Sequence, residues 1–157
     1  MNTQSLLQFG LLFHIIGFTM LAGAVVSDFS VYRKISGYLI SDKPRAMTVM
    51  ESTSGILALL GIGGMLIILS GLGMVFLLKG YVTSMLWFKI KMVLVVLVII
   101  NGLVIARRNG LKLRKLVAEN TDNNNAAINT LKGKMRLFYA SQLLLLLSIF
   151  ILAIFRF

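Results

Sequence analysis

One histidine and two lysines set inside otherwise uncharged sequence are the residues of this chain best placed to do chemistry. His14 stands in the run LLFHIIGFTMLAG, and Lys89 and Lys91 stand near the head of WFKIKMVLVVLVIINGLVIARR, from Trp87 to Arg108. An imidazole among apolar neighbours can coordinate a metal or pass a proton, and an ionisable group inside a membrane-length segment is a functional hypothesis by default. It can equally be a neutral ring hydrogen-bonded between helices, with no ligand. Lys89 and Lys91 lie about 200° apart on a helix, so they cannot face the same way. One can lay its stem along the helix and reach the headgroups. The other must point inward, where a central lysine costs about 2.5–3.5 kcal/mol on insertion scales. Lys91 is the deeper of the two and is expected to be the inward one. Asp28, Asp42, Glu51, Glu119 and Asp122 all belong to the opposite side. An inward ammonium without an acid at its depth suits an anionic ligand, such as a carboxylate or a porphyrin propionate, or else a neutral amine.

Holding these groups at one depth takes long apolar helices, and the composition supplies them. The chain is 58% hydrophobic and 13% charged, with a single proline, and its mean hydropathy is +0.91. These values place it in the membrane class rather than among soluble domains. A crossing helix needs about 20 apolar residues. Four runs qualify, over residues 6–28, 54–78, 85–106 and 137–155. Met1 to Ser5 carries no basic side chain, so the first run lacks the head of a cleavable signal peptide and is expected to stay. Gly37 reads as a stop signal, with a loop over Ser36 to Lys43. Ser41 or Asp42 then caps the next helix, and Pro44 suits its first turn. An interfacial turn or two containing Glu51 precedes the second span. Lys79, Gly80 and Tyr81 form a short turn, which predicts that the second and third spans pack as an antiparallel hairpin. Beyond Arg108, Leu111, Leu113, Leu116 and Val117 alternate with basic residues, so the helix is expected to continue out of the membrane. NTDNNN, from Asn120 to Asn125, is the turn, and Ala126 to Lys134 leads back. The expected fold is all-α: a polytopic, antiparallel four-transmembrane-helix bundle, forming one domain over residues 1–157, with a cytoplasmic helical hairpin over about 107–136.

The net charge of +11 raises nucleic-acid binding as a possibility. Its distribution points elsewhere. Of 16 Lys and Arg residues, four fall between Tyr32 and Arg45 and eight between Arg107 and Arg136. Basic segments alternating with nearly uncharged ones follow the positive-inside rule. That places both basic segments on the cytoplasmic side of the inner membrane, against anionic lipids, with the N- and C-termini outside the cytoplasm. No nucleic-acid partner is expected; a homo-oligomer or a membrane-protein partner is. The chain contains no cysteine, which excludes disulfides, thiolate metal sites and cysteine nucleophiles.

Counting inward from the outer ends brings four levels together. His14 on the first span meets the level of Ser70 and Gly71 on the second, Lys91 and Met92 on the third, and Leu147 and Ser148 on the fourth. Gly10, Gly17, Leu21 and Asp28 lie within about 60° of His14, a stripe of small and polar positions expected to face inward. On the second span Ser54, Ala58, Gly61, Gly64 and Gly71 fall within roughly 140° of one another. Such a stripe lets helices approach closely in lipid, though a flat ligand would need the same absence of side chains. The candidate cofactor-binding residues are therefore His14, Gly17, Ser70, Gly71, Lys91 and Met92, with His14 the metal ligand.

The first span, with the later Tyr32-Arg33, resembles the opening helix of the HemJ-type protoporphyrinogen oxidases and the related CopD-like membrane domains. Trp87-Phe88-Lys89-Ile90-Lys91 is similar to the tryptophan-then-lysine start of their third helix. The resemblance implies a four-helix membrane fold, with His14 as a haem-associated histidine, Lys91 as the family's lysine, haem b as cofactor and oxidoreductase chemistry as the activity. Lys89 stands where HemJ-type proteins tend to have histidine, and no histidine pair ends the third helix. Those departures favour a non-enzymatic role. A lone histidine with scattered methionines is a poor copper site. With one histidine, bis-histidine ligation within the chain is excluded, and a His–Met pair is chemically allowed, Met92 and Met74 being near the right depth. The alternative function is a structural or assembly subunit that docks a partner through the basic hairpin.

Overall fold

In the computed structural model, which describes residues 2–119 and 125–155, the chain is helical and contains no strand among those residues. The elements are α1 (Thr3–Ser41), α2 (Lys43–Ser52), α3 (Ser54–Leu77), α4 (Leu86–Ile100), α5 (Arg107–Ala118) and α6 (Asn125–Ile154). A short 3₁₀ turn over Tyr81–Ser84 precedes α4, and a π-helical turn over Asn101–Ala106 joins α4 to α5. Four helical stretches, Thr3–Leu39, Lys43–Leu77, Leu86–Ala118 and Ala126–Ile154, are long and apolar enough to cross a membrane.

Local chemistry explains the boundaries. Asn2 caps α1 by accepting from the Ser5 amide at 2.9 Å. Asp42 ends α1 and starts α2: its side chain accepts from the Arg45 amide at 3.1 Å, with Pro44 in the first turn. α3 closes where Lys79 and Gly80 adopt positive φ of 50° and 72°, the left-handed stop that glycine makes cheap. The loop expected at Ser36 to Lys43 is not there. α1 runs through Gly37 to Ser41, 39 residues in all, or about 58 Å at 1.5 Å per residue. Ile35 and Leu39, on either side of Gly37, are both buried, and that burial outweighs the roughly 1 kcal/mol a helical glycine costs. Asn125, expected as the last residue of the turn, instead begins α6; the rest of that turn, 120–124, and the closing Arg156 lie outside the described residues.

The pairing also differs from expectation. α3 packs chiefly on α1, and α4 on α6, while the second and third spans, despite their short connection, do not form the packed hairpin predicted for them. α1 bridges the two pairs, because it also contacts α6; Phe18 stacks on Phe150 there at 5.9 Å.

Two differently built layers result. At the basic end, Ile35 and Leu39 from α1, Ala46 from α2, Leu113 and Val117 from α5, and Ile128 and Leu131 from α6 close a core in which Leu39, Ala46 and Ile128 have no exposed surface. Tyr32, Met135, Phe138 and Tyr139 continue it toward the middle of the molecule. Lys132 donates to the Ser36 carbonyl and its own carbonyl accepts from Tyr32 Oη, both at 2.7 Å, so α1 and α6 are clamped in both directions. At the other end, large apolar side chains point outward, among them Phe76 at 84% exposure. There the helices meet through glycine.

Candidate functional site

The histidine site is built on the α1–α3 crossing. Gly10, His14, Gly17 and Leu21 of α1 face α3, which answers with Gly63, Leu66, Ile67, Ser70 and Met74. A Cβ placed on Gly17 would stand 2.9 Å from the Gly63 carbonyl oxygen, and one on Gly63 would stand 2.9 Å from the Gly17 carbonyl. Only mutual glycines allow this approach, and it fixes the depth of α1 against α3. Gly61 of the expected stripe has nothing within 4 Å of its Cβ position. The contacting face of α3 carries Gly63, Ile67, Ser70 and Met74, which share about 60° of arc; the predicted stripe was centred too far round the helix.

Two turns nearer the N-terminal end of α1 than Leu21, His14 lies half-buried against α3. Its Nδ1 is 2.9 Å from Ser70 Oγ. Ser70 spends its one hydroxyl hydrogen on its own helix, donating to the Leu66 carbonyl. With that hydrogen on Leu66 the serine oxygen is the acceptor, which assigns the ring the tautomer protonated at Nδ1. The Ile67 backbone also bears on the ring. With Nδ1 engaged, Nε2 is the ring atom left to accept a proton or coordinate a ligand, which is how an outer hydrogen bond sets the tautomer of a ligating histidine. A Cβ at Gly71 would come 3.3 Å from His14 Cε1, so Gly71 makes room for the imidazole itself.

The other candidates fall into place by element. Lys91 on α4 is half-buried and its charge acts on His14, whereas Lys89 is exposed. Met92 is 40% exposed and turned outward. Gly17 is filled by the helix crossing and leaves no slot for a flat ligand. Met74 lies against Gly10, its Cγ 2.9 Å from that glycine's Cβ position. Ser148 is half-buried and spends its hydroxyl hydrogen on Leu144 of its own helix at 2.9 Å. The structure thus groups His14, Ser70 and Gly71, with Lys91 within electrostatic reach. Among the described residues no set of three or more His, Cys, Asp or Glu side chains converges as a metal site.

Two polar contacts deeper in the molecule were not read as such from the sequence. Asn101, where the π turn begins, is buried and donates to Gln142 Oε1 at 2.8 Å and Ser141 Oγ at 3.1 Å. Tyr139 donates to Asp28 Oδ2 at 2.7 Å, inside a tyrosine–phenylalanine cluster with Tyr32, Phe29 and Phe138. The available signal was a polar amide in an apolar run, facing Gln142 in another. Such residues in spanning sequence pair with one another rather than with lipid. Comparison with protein-family models, with curated proteins and with solved structures found no match, so the functional reading rests on this geometry.

Proposed function

We propose that the chain is an integral protein of the inner membrane, its four long helices arranged as an antiparallel bundle, with both termini outside the cytoplasm and the basic layer on the cytoplasmic face. The distribution of Lys and Arg supports that orientation. In the outer half of this bundle, His14 and Lys91 bind a planar anionic cofactor, haem b being the group whose chemistry they match. The observation that carries this reading is the 2.9 Å contact of His14 Nδ1 with Ser70 Oγ, because it leaves Nε2 as the available donor atom and orients it. A single imidazole suffices as an axial ligand to a metal that brings its own macrocycle. Lys91 would meet a carboxylate of that group, and Gly71 lets the ring seat against α3. A bound haem would supply redox or gas-binding chemistry; the side chains here bind and orient, and the role proposed is non-enzymatic.

The test is an absorption spectrum of the detergent-purified protein before and after haem reconstitution. A Soret band is expected in the native sequence, absent in His14→Ala and weaker in Ser70→Ala and Lys91→Ala. No band in the native protein after reconstitution removes the haem reading. A second reading, a structural or assembly subunit docking a partner through residues 107–136, is favoured by the separate packed core of the basic layer, which gives that surface a rigid base. Cross-linking in native membranes that recovers no protein at this hairpin would count against it.

A further inference from the structure

Between α5 and α6, away from the histidine site, runs an open groove lined by Lys112, Lys115, Glu119, Thr130 and Lys134 together with the apolar Leu116, Ala127 and Leu131. Among the described residues that line it, three cations face one carboxylate. The side chains that hold α5 on α6 are others: Leu113, Val117, Ile128 and Leu131 form the buried contact. The lysines are therefore not needed for packing. Like charges gathered on neighbouring helix positions are destabilising when nothing offsets them.

Position along the helices says what would offset them. α4 continues through the π turn into α5, so Lys112, five residues beyond Arg107, stands about 7–8 Å along the axis from it. Lys134 precedes Leu137, where the apolar part of α6 begins, by three residues, or about 4–5 Å. A headgroup layer is about 5–8 Å deep on each side of the hydrocarbon. Both ammonium groups therefore fall at phosphate depth when the apolar parts of these helices are in the bilayer, and Leu116, Ala127 and Leu131 add apolar lining.

We infer that this groove is a binding site for the phosphate headgroup of an anionic phospholipid, held by Lys112 and Lys134 with Lys115 beyond them. The site rests on the membrane-spanning orientation and owes nothing to the proposed cofactor, whose absence would leave it intact. Each lysine near an anionic surface contributes about 1 kcal/mol, so losing two should weaken binding on the order of 30-fold.

The experiment measures melting of the full-length chain in neutral detergent micelles titrated with phosphatidylglycerol, with phosphatidylcholine or with inorganic phosphate. Phosphatidylglycerol should raise the midpoint saturably, and phosphatidylcholine should not. Lys112→Gln with Lys134→Gln should shift the titration to roughly 30-fold higher lipid, while Lys112→Arg with Lys134→Arg keeps it. Arg33→Gln with Lys34→Gln removes the same charge from an exposed face of α1 and should leave it unchanged. Equal weakening by this control would reduce the site to diffuse surface charge and overturn the proposal. So would an unshifted titration in the Lys112/Lys134 glutamine variant. Inorganic phosphate matching the lipid at equal concentration would overturn the headgroup as its source. A missing Soret band bears only on His14.

Discussion

The two ends of this molecule are held together by different physics. At the basic end, Leu39, Ala46 and Ile128 are withdrawn from the surface completely, and four helices share one apolar core. That is how a water-soluble protein gains stability, by removing apolar surface from water. At the opposite end, most large apolar side chains are exposed, and contact concentrates where Gly17 meets Gly63. In lipid no hydrophobic gain comes from pushing leucines together, so close backbone approach and a few polar contacts take over. The difference teaches where function can sit. The glycine-packed layer can carry a polar pair such as His14 and Ser70 because its cohesion does not depend on a dry core, while the basic layer can present lysines because its core lies behind them.

The contrast is open to attack by mutation, beginning with the largest expected effect. Gly17→Leu places a Cβ 2.9 Å from backbone atoms of α3, which cannot step aside. Overpacking costs about 1–3 kcal/mol even where neighbours can adjust, so this variant should lose its cooperative melt. A normal melt would mean that glycine contact is not what holds that end of the molecule. Leu39→Ala should cost about 2–5 kcal/mol as a buried core truncation, whereas Leu57→Ala, at a position 71% exposed, should stay within about 0.5 kcal/mol. Similar losses in both would erase the distinction between the layers. Tyr139→Phe removes the donor to Asp28 and should destabilise by about 1–2 kcal/mol, read as a lower melting temperature. Asn101→Leu should cost about 1 kcal/mol by leaving Gln142 without its partner, near the modest scale measured for polar contacts between spanning helices. Gly23→Ala sits at the small end. No atom lies within 4 Å of its Cβ position, and helix propensity predicts a gain of up to about 1 kcal/mol. A clear loss there would show that α1 needs its glycines for something besides contact.

Much of the secondary structure was legible because each signal is local. Apolar length marks a spanning helix, Asp42 and Pro44 mark a helix start, and Lys79-Gly80 mark a stop; each acts within a few residues. The α1 stripe of Gly10, His14, Gly17 and Leu21 was also legible, since one helix's periodicity sets one face. The corresponding stripe on α3 was not. Glycines ring that helix on several sides, and composition alone could not rank Gly63 above Gly61. Gly37 misled for a related reason: a weak local stop was overridden by burial of Ile35 and Leu39 against α5 and α6, segments remote in sequence. The candidate site was legible as a set of depths, and those depths put His14 level with Ser70 and Gly71. Met92 at the same level points outward, and Gly17 is used up in the crossing; depth along a helix does not fix rotation about it.

The sequence by itself determined that the chain makes four long apolar helices with two basic segments, because hydropathy, length and charge are properties of single segments. Only the tertiary structure decided that α1 pairs with α3 and α4 with α6, that Ser70 turns the His14 ring, and that Lys112 and Lys134 share a groove. Those are relations between segments, set by which surfaces come close enough to touch.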